Sequence, residues 1–308
     1  MTANDPRHIG IDLAWGPKNR TGLAAVAADG RLLASGSAHR DEEILTWIAD
    51  HASALGVVAI DAPLIVTNAT GRRHCEALIH TAFGRFDAGP HSTNLSKPEF
   101  NPPRGAVLAE RLGLPLDPDG RRDGVAIEVY PHPAMVGLWD LDLILKYKHK
   151  AKYAFRFRKS QFSALLAQLN RVESLGLEDV PRWAEIEWIV EGAAKHGDLN
   201  RIEDEVDGIV CAYLAWLWAQ ADARLTVYGD VTSGYIVAPH PPAHPARSRL
   251  DRVSSTRPVR FEGRSLNSGT QVDAAPAFAL DGPTGRWMLT PDEAHELELV
   301  LRTSRMSE

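Results

Sequence analysis

The fold is decided by the stretch Arg7-His8-Ile9-Gly10-Ile11-Asp12-Leu13, which has the pattern of a strand that carries an acid. Side chains alternate along a strand, so the three aliphatic residues share one face while Gly10 and Asp12 share the other. Strands are poor in Asp, and a carboxylate in the core is costly unless a partner balances its charge. Because Trp15-Gly16-Pro17 follows at once, we expect this strand to open into a functional site. A strand-end Asp that caps a turn is the structural alternative.

The elements that follow predict a mixed sheet. Two apolar segments, 22–28 and 31–35, flank Asp29-Gly30, a dipeptide typical of tight hairpin turns. The spacing of apolar residues predicts a helix over 41–54, and the continuous apolar run at 57–60 is typical of a strand buried on both faces. This order of strand, hairpin, helix and parallel strand places the first strand between the hairpin and the fourth strand.

The rest of the chain predicts helices around this sheet. Segment 204–223 has the clearest helical pattern, because its apolar residues recur at helical spacing. Further helices are expected at 72–83, 159–175 and 182–195, further strands at 125–130 and 234–238, and a loop at 84–103. The expected class is therefore α/β, a mixed sheet flanked by helices with an inserted helical and loop segment.

Composition predicts one domain followed by a tail. The chain has 308 residues, and its 44% hydrophobic and 24% charged content is ordinary for a soluble globular protein. The net charge of −6 argues against a protein that coats nucleic acid without specificity, although it permits a local basic track. We expect one domain over 7–239 and, over 240–308, a Pro-rich linker with a short, partly flexible C-terminal element that includes a helix at 291–302.

Cysteine content and the N-terminus indicate the cytoplasm. Cys75 and Cys211 are too few for a disulfide framework, and the first residues lack the regions of a signal peptide. The longest apolar run, 208–219, is too short to span a bilayer. We therefore expect a cytoplasmic protein without membrane contact, whose oligomeric state the sequence does not predict.

Acids recur at positions that the predicted sheet brings together. Asp61 directly follows the buried strand, Asp207 borders the apolar face of the late helix, and Asp204 lies one turn earlier. Adjacent first and fourth strands would make Asp12 and Asp61 neighbours, and the helix would add the other two. Converging carboxylates repel each other unless a cation is present, and their hard oxygens suit Mg²⁺ or Mn²⁺.

Each acid also has a structural explanation. Asp61 fits a turn before Pro63, Asp204 complements the helix dipole, and Glu128 fits an exposed position on an edge strand. Asp207 has the weakest such explanation, because it lies one residue from an apolar stripe. The shared pattern therefore carries more weight than any single acid.

Several segments together resemble a family of predicted RNase H-like nucleases, domain of unknown function family 429. The resemblance covers about residues 7–239 and is carried by Ile9-Gly10-Ile11-Asp12, Ala59-Ile60-Asp61-Ala62-Pro63-Leu64, Arg72-Arg73-His74-Cys75-Glu76, Glu128-Val129-Tyr130-Pro131, Tyr147-Lys148 and Asp204-Glu205-Val206-Asp207-Gly208. The resemblance implies a ribonuclease H-like mixed sheet.

The same resemblance implies the roles of the acids. Asp12, Asp61 and Asp207 would be the catalytic, metal-binding residues, with Asp204 and Glu128 as supporting acids. Two positions depart from the family's pattern: the usual Asp-Ala is Asp207-Gly208 here, and the acid after Cys75 is Glu76 instead of Asp.

A basic block fits a phosphate backbone as substrate. Residues 146–159 contain seven Lys or Arg, four aromatic residues and no acid, a composition typical of surfaces that bind phosphates while bases stack. A solvated loop whose aromatics pack on the core is the alternative. The residues expected to bind phosphates are Lys148, Lys150, Lys152 and Arg156, with Arg72 and Arg73 as a second clamp.

These observations predict a metal-dependent nuclease with nucleic acid as its partner. Two Mg²⁺ ions, about 4 Å apart, would activate water and stabilise the leaving oxygen. In this mechanism Asp12 and Asp61 would bind the ions, Asp207 would hold the second ion, and Asp204 or Glu128 would orient water.

Two other functions stay open. A nucleotide-dependent phosphotransferase of the actin and sugar-kinase type predicts a Gly-rich phosphate loop after the fourth strand, which Asp61-Ala62-Pro63-Leu64 does not supply. A non-catalytic module that binds nucleic acid or protein would keep the fold without turnover.

Overall fold

Strand β1 (Arg7–Asp12) lies at the centre of a five-stranded mixed sheet, in a computed structural model of the chain. Its neighbours are β2 (Thr21–Val26), which is antiparallel, and β4 (Leu55–Ile60), which is parallel. Strand β3 (Leu32–Ala38) closes one edge and β5 (Val125–Glu128) the other, so the order is β3-β2-β1-β4-β5. The predicted α/β class, with a mixed sheet flanked by helices, is confirmed.

The structure describes residues 5–16, 18–246, 278–282 and 285–289. Its helices are α1 (Asp41–His51), α2 (His74–Phe83), α3 (Arg104–Arg111), α4 (Pro131–Leu138), α5 (Phe155–Leu169), α6 (Pro181–Gly192), α7 (His196–Asn200) and α8 (Glu203–Ala219). Short 3-10 helices lie at Gly84–Phe86, Glu173–Leu175 and Leu177–Asp179. An antiparallel pair of strands, β6 (Leu225–Asp230) and β7 (Gly234–Pro239), follows α8.

The chain divides into two compact units, Met1–Ala246 and Arg247–Glu308. In the second unit, β8 (Phe278–Gly282) and β9 (Gly285–Leu289) form an antiparallel pair that the sequence analysis did not predict. The helix expected at 291–302 lies outside the described residues. Of the helices that the structure describes, none combines the length and the apolar character that crossing a bilayer requires.

The two faces of β1 are covered differently. Ile9 and Ile11 are fully buried in a cluster with Ile44 of α1 and Leu108 of α3. The opposite face lies under α8, as the alternation of the strand required. The apolar residues of β1 therefore build one core layer, while its small and acidic residues meet the helix that carries the other acids.

Glycines allow α8 to approach the sheet at backbone distance. A Cβ on Gly10 of β1 would lie 2.0 Å from the backbone nitrogen of Ala212, and one on Gly22 of β2 would lie 1.6 Å from the carbonyl oxygen of Asp204. A Cβ on Gly208 would in turn meet the backbone of Gly22 at 2.8 Å. At these distances no side chain fits between the helix and the sheet. Glycine at position 208, directly after Asp207, therefore allows α8 to approach β2 closely.

Several elements differ from their predicted extents. Helix α5 begins at Phe155, four residues before the predicted start at 159, and so takes up the end of the basic block. No pattern in the sequence predicted α3, α4, α7 or β6. Helix α4 begins at Pro131. Proline is favourable at the first helical position, because the backbone N–H that it lacks would have no partner within the helix there.

Candidate active site

Asp12 and Asp61 lie side by side where two parallel strands end. Asp12 is the last residue of β1 and is buried, while Asp61 directly follows β4. Ile11 pairs with Ile60 in the register of these strands, and the Asp61 amide donates a hydrogen bond of 2.8 Å to the Ile11 carbonyl. The predicted adjacency of the first and fourth strands thus brings the two acids to the same edge of the sheet.

Asp207 lies on α8, which packs on this part of the sheet, and it is completely buried. One of its carboxylate oxygens accepts a hydrogen bond from the Tyr147 hydroxyl. The other lies 2.6 Å from Nζ of Lys148, and the same Nζ lies 3.4 Å from Oδ2 of Asp12. The ammonium group of Lys148 therefore lies between two of the predicted metal ligands.

One ammonium does not balance the charge of this cluster. Burial raises the pKa of Asp61 well above its usual value, and the negative charges of Asp12 and Asp207 raise it further, against the opposing effect of Lys148. Burial, with the charge of Asp12, also raises the pKa of Asp204 to about 7, and burial raises the pKa of Asp207. Without a further cation these acids therefore tend to hold protons, and a divalent cation would allow them to ionise.

Lys148 itself stays charged. Burial lowers the pKa of its ammonium, but the carboxylates of Asp12 and Asp207 outweigh this effect and hold the pKa well above the usual value. At neutral pH the side chain is a cation among acids.

A buried arginine fixes the segment that carries Lys148. Nε of Arg158, which is completely buried, donates a hydrogen bond of 2.6 Å to the carbonyl of Tyr147, and its NH1 group donates one of 2.8 Å to Asn200. On the other side of Lys148, the amide of His149 donates to Glu203 at 3.1 Å. The lysine is thus anchored at both of its neighbours. No local signal in the sequence distinguishes Arg158 from the exposed Arg156, so this role could not be predicted.

Glu128 and Arg73 neutralise each other in the interior. Two guanidinium nitrogens of Arg73 lie 2.9 and 2.6 Å from the two carboxylate oxygens of Glu128, and both side chains are buried. The amide of Leu64 also donates to Glu128, and Arg73 forms a further ion pair of 2.8 Å with Glu76. The structure therefore places Arg73, a predicted phosphate clamp, away from the surface, whereas its neighbour Arg72 is exposed.

The basic block does not form one surface. Lys150, Lys152 and Arg156 are exposed, while Lys146 pairs with Asp87 at 2.6 Å and Arg158 is buried. Lys148 belongs to the acid cluster. Only part of the predicted phosphate-binding set is therefore placed where a substrate can reach it.

A cleft of about 540 Å³ opens next to the acid cluster. Its lining includes Asp12 and Asp204 from the cluster, and also Trp15, Lys18 and other cationic or polar residues, among them Arg20, His39, Lys148 and His149. Trp15 is 57% exposed although its ring makes edge contacts with His91 and Phe100. The cleft thus joins acids, cations and an open aromatic surface.

The donors of the cluster fit a hard divalent cation. Carboxylate oxygens are ligands of Mg²⁺ and Mn²⁺, and converging acids that would otherwise take up protons favour such an ion. Among the described residues, no three His, Cys, Asp or Glu side chains are already arranged around one metal position. The ammonium of Lys148 explains part of this, since it lies where an ion shared by Asp12 and Asp207 would lie.

Comparison with known proteins identifies a family without assigning an activity. A family model described as Protein of unknown function (DUF429) matches residues 10–233. This range contains the whole acid cluster with Lys148. The chain matches no curated protein and no solved structure.

Proposed function

The chain belongs to the DUF429 family, and because the description of that family assigns no activity, we propose a function from the site itself. We propose that the protein hydrolyses phosphodiester bonds of nucleic acid with Mg²⁺ or Mn²⁺ and has a ribonuclease H-like fold. The observation that carries this proposal is the convergence of Asp12, Asp61 and Asp207 from three separate elements, with Lys148 as their one close cation among the described residues.

The sheet supports the fold part of the proposal. Its order is β3-β2-β1-β4-β5, with β1 antiparallel to β2 and parallel to β4. The acids lie at the ends of β1 and β4 and on the helix that crosses them. This is the placement of catalytic acids that resemblance to RNase H-like nucleases implies.

The residues of the site have separable roles in this reaction. Asp12 and Asp61 would hold the ion, which when bound would supply positive charge to a phosphoryl oxygen. Asp207 would hold the ammonium of Lys148 beside it. Asp204 lines the cleft, and its pKa of about 7 suits a carboxylate that accepts a proton from an attacking water near neutral pH. Lys148 faces both the acids and the cleft, so its ammonium would bind a phosphate oxygen of the substrate.

The lining of the cleft supports nucleic acid as the substrate. Lys18 and Arg20 add positive charge beside the acids, and Trp15 offers an open ring on which a base can stack. A chain of net charge −6 would use such a local set of cations to bind a phosphate backbone.

The test is cleavage of labelled single-stranded, duplex, hybrid and branched oligonucleotides in Mg²⁺, Mn²⁺ or EDTA. We expect cleavage with either metal, none in EDTA, and a loss of at least about 100-fold in Asp12→Asn and Asp207→Asn. Asp50→Asn is the matched control, because Asp50 is exposed on α1 and does not line the cleft. Folded wild-type protein that cleaves no substrate with either ion would refute the proposal. So would cleavage that survives both substitutions in the cluster.

A further inference from the structure

We infer that the ammonium of Lys148 takes the place of one of the two metal ions expected for this acid cluster, so that the site binds a single divalent cation. This inference rests on the proposed function in taking the acids as a cation site. It goes beyond that function because a side chain of the protein, instead of a second metal ion, would supply one of the two positive charges.

The position of Lys148 is the first argument. Its Nζ lies 2.6 Å from Oδ2 of Asp207 and 3.4 Å from Oδ2 of Asp12. A Mg²⁺ ion shared by these carboxylates would need oxygen ligands at about 2.0–2.1 Å and would occupy the same space. The ammonium and such an ion therefore exclude each other.

The anchoring of Lys148 is the second argument. The residue before it is held by the hydrogen bond from the Tyr147 hydroxyl to Asp207 and by the hydrogen bond from Arg158 to the Tyr147 carbonyl. The residue after it is held through the His149 amide. If the side chain left, Asp207 would lose a cation while remaining completely buried, which is unfavourable for a carboxylate. Lys148 is thus a resident cation of the site.

The other side of the cluster is open to an ion. No hydrogen bond or ion pair reaches the carboxylate of Asp61 from the residues that the structure describes, although that carboxylate lies beside Asp12 and is only partly buried. An ion held by Asp12 and Asp61 would relieve the repulsion between them without displacing Lys148. Such an ion would lie beside Asp12, which lines the cleft together with Lys148.

The experiment measures how many Mn²⁺ ions the full-length protein binds, by calorimetric titration and by the electron paramagnetic resonance signal of free Mn²⁺. We expect one ion per wild-type chain, no ion in Asp61→Asn, and a second ion in Lys148→Met, which opens the place between Asp12 and Asp207. Lys150→Met is the matched control, since Lys150 is exposed two residues away, and it should still bind one ion.

The outcomes separate this inference from the proposed function. Two ions per wild-type chain would refute the inference while supporting the nuclease. No ion in the wild type would refute the cation site and with it the proposed function. One ion in both the wild type and Lys148→Met would show that the lysine does not take the place of an ion. If Lys148→Met does not fold, two ions in the wild type would still refute the inference, and one ion that is lost in Asp61→Asn would still support it.

Discussion

Asp61 shows how a single residue can lower the stability of the fold. Its pKa is raised by burial, and then by the charges of Asp12 and Asp207, so the folded protein holds a proton that the unfolded chain has already lost. The folded state then binds more protons than the unfolded state, and stability falls as pH rises from about 4 through neutrality. Asp204 and Asp207 contribute with the same sign, because their pKa values are raised as well.

We therefore predict that Asp61→Asn stabilises the metal-free protein at alkaline pH. In EDTA at pH 8 we expect a free energy of unfolding higher than in the wild type by about 1 kcal/mol or more, since each unit of raised pKa corresponds to about 1.4 kcal/mol. The difference should shrink towards pH 4, where the wild-type carboxyl is protonated. Urea unfolding at several pH values measures it, with Asp50→Asn as control. A variant less stable than the wild type at pH 8 would contradict the electrostatic account.

Arg73 has a structural role that its neighbour Arg72 lacks. Arg73→Met leaves Glu128 and Glu76 as buried charges without their cation, so we expect a loss of about 3–5 kcal/mol in the free energy of unfolding. Arg72→Met, at an exposed position, should stay within about 0.5 kcal/mol of the wild type. Denaturant unfolding compares the two. If Arg73→Met kept its stability and lost oligonucleotide binding, the guanidinium would be a phosphate clamp after all.

Among the elements, α8 depends most on small residues in its neighbours. A Cβ on Gly22 would lie within 1.6 Å of the α8 backbone, which can move only as a whole. We predict that Gly22→Ala lowers the free energy of unfolding by about 1–3 kcal/mol or more. Where the variant folds, it should also lose activity because Asp204 is displaced.

Gly192→Ala is the control for this substitution. Gly192 ends α6 and has no neighbouring atom within 4 Å of an added Cβ, so this variant should equal the wild type or gain up to about 1 kcal/mol. Thermal unfolding of both variants provides the measurement. Equal stability of the two alanine variants would mean that α8 does not approach β2 as closely as described.

The elements predicted from sequence are those whose patterns are local. β1, the hairpin, β4 and α8 carry clear alternation, turn or helix signals, and their order was enough to place Asp12 beside Asp61. Helix α4 was missed because Pro131 and Pro133 indicate a break when read alone, although both fit the first turn of a helix.

The parts of the site that sequence did not predict are contacts over long separations. Lys148 and Asp12 are 136 positions apart, and nothing in residues 146–159 shows that this lysine turns towards the acids while Lys150 and Lys152 stay exposed. The burial of Arg158 likewise depends on Asn200 and Glu203, which only the folded chain brings near. The sequence thus predicted the acids of the site, but not which lysine or arginine side chains lie beside them.

At the scale of the whole molecule, an acidic protein has to attract an anionic substrate through a small part of its surface. Cations of the cleft should then account for the salt dependence of binding. We predict that Lys18→Ala weakens oligonucleotide binding and reduces the slope of log K against log salt concentration by about 1. Fluorescence anisotropy over a range of salt concentrations measures the slope. Binding without any salt dependence would contradict a phosphate-binding cleft.

Trp15 should act through stacking and therefore differ from Lys18 in its salt dependence. Trp15→Ala removes the open ring beside the acids, so we expect single-stranded oligonucleotides to bind more weakly by about 1–3 kcal/mol with an unchanged salt slope. Trp188→Ala is the matched control, because Trp188 is 74% exposed on α6 and does not line the cleft. Equal losses of oligonucleotide affinity in both variants would show that an exposed tryptophan binds oligonucleotide wherever it lies on the surface. A loss confined to Trp15→Ala would locate the substrate's bases beside the end of β1.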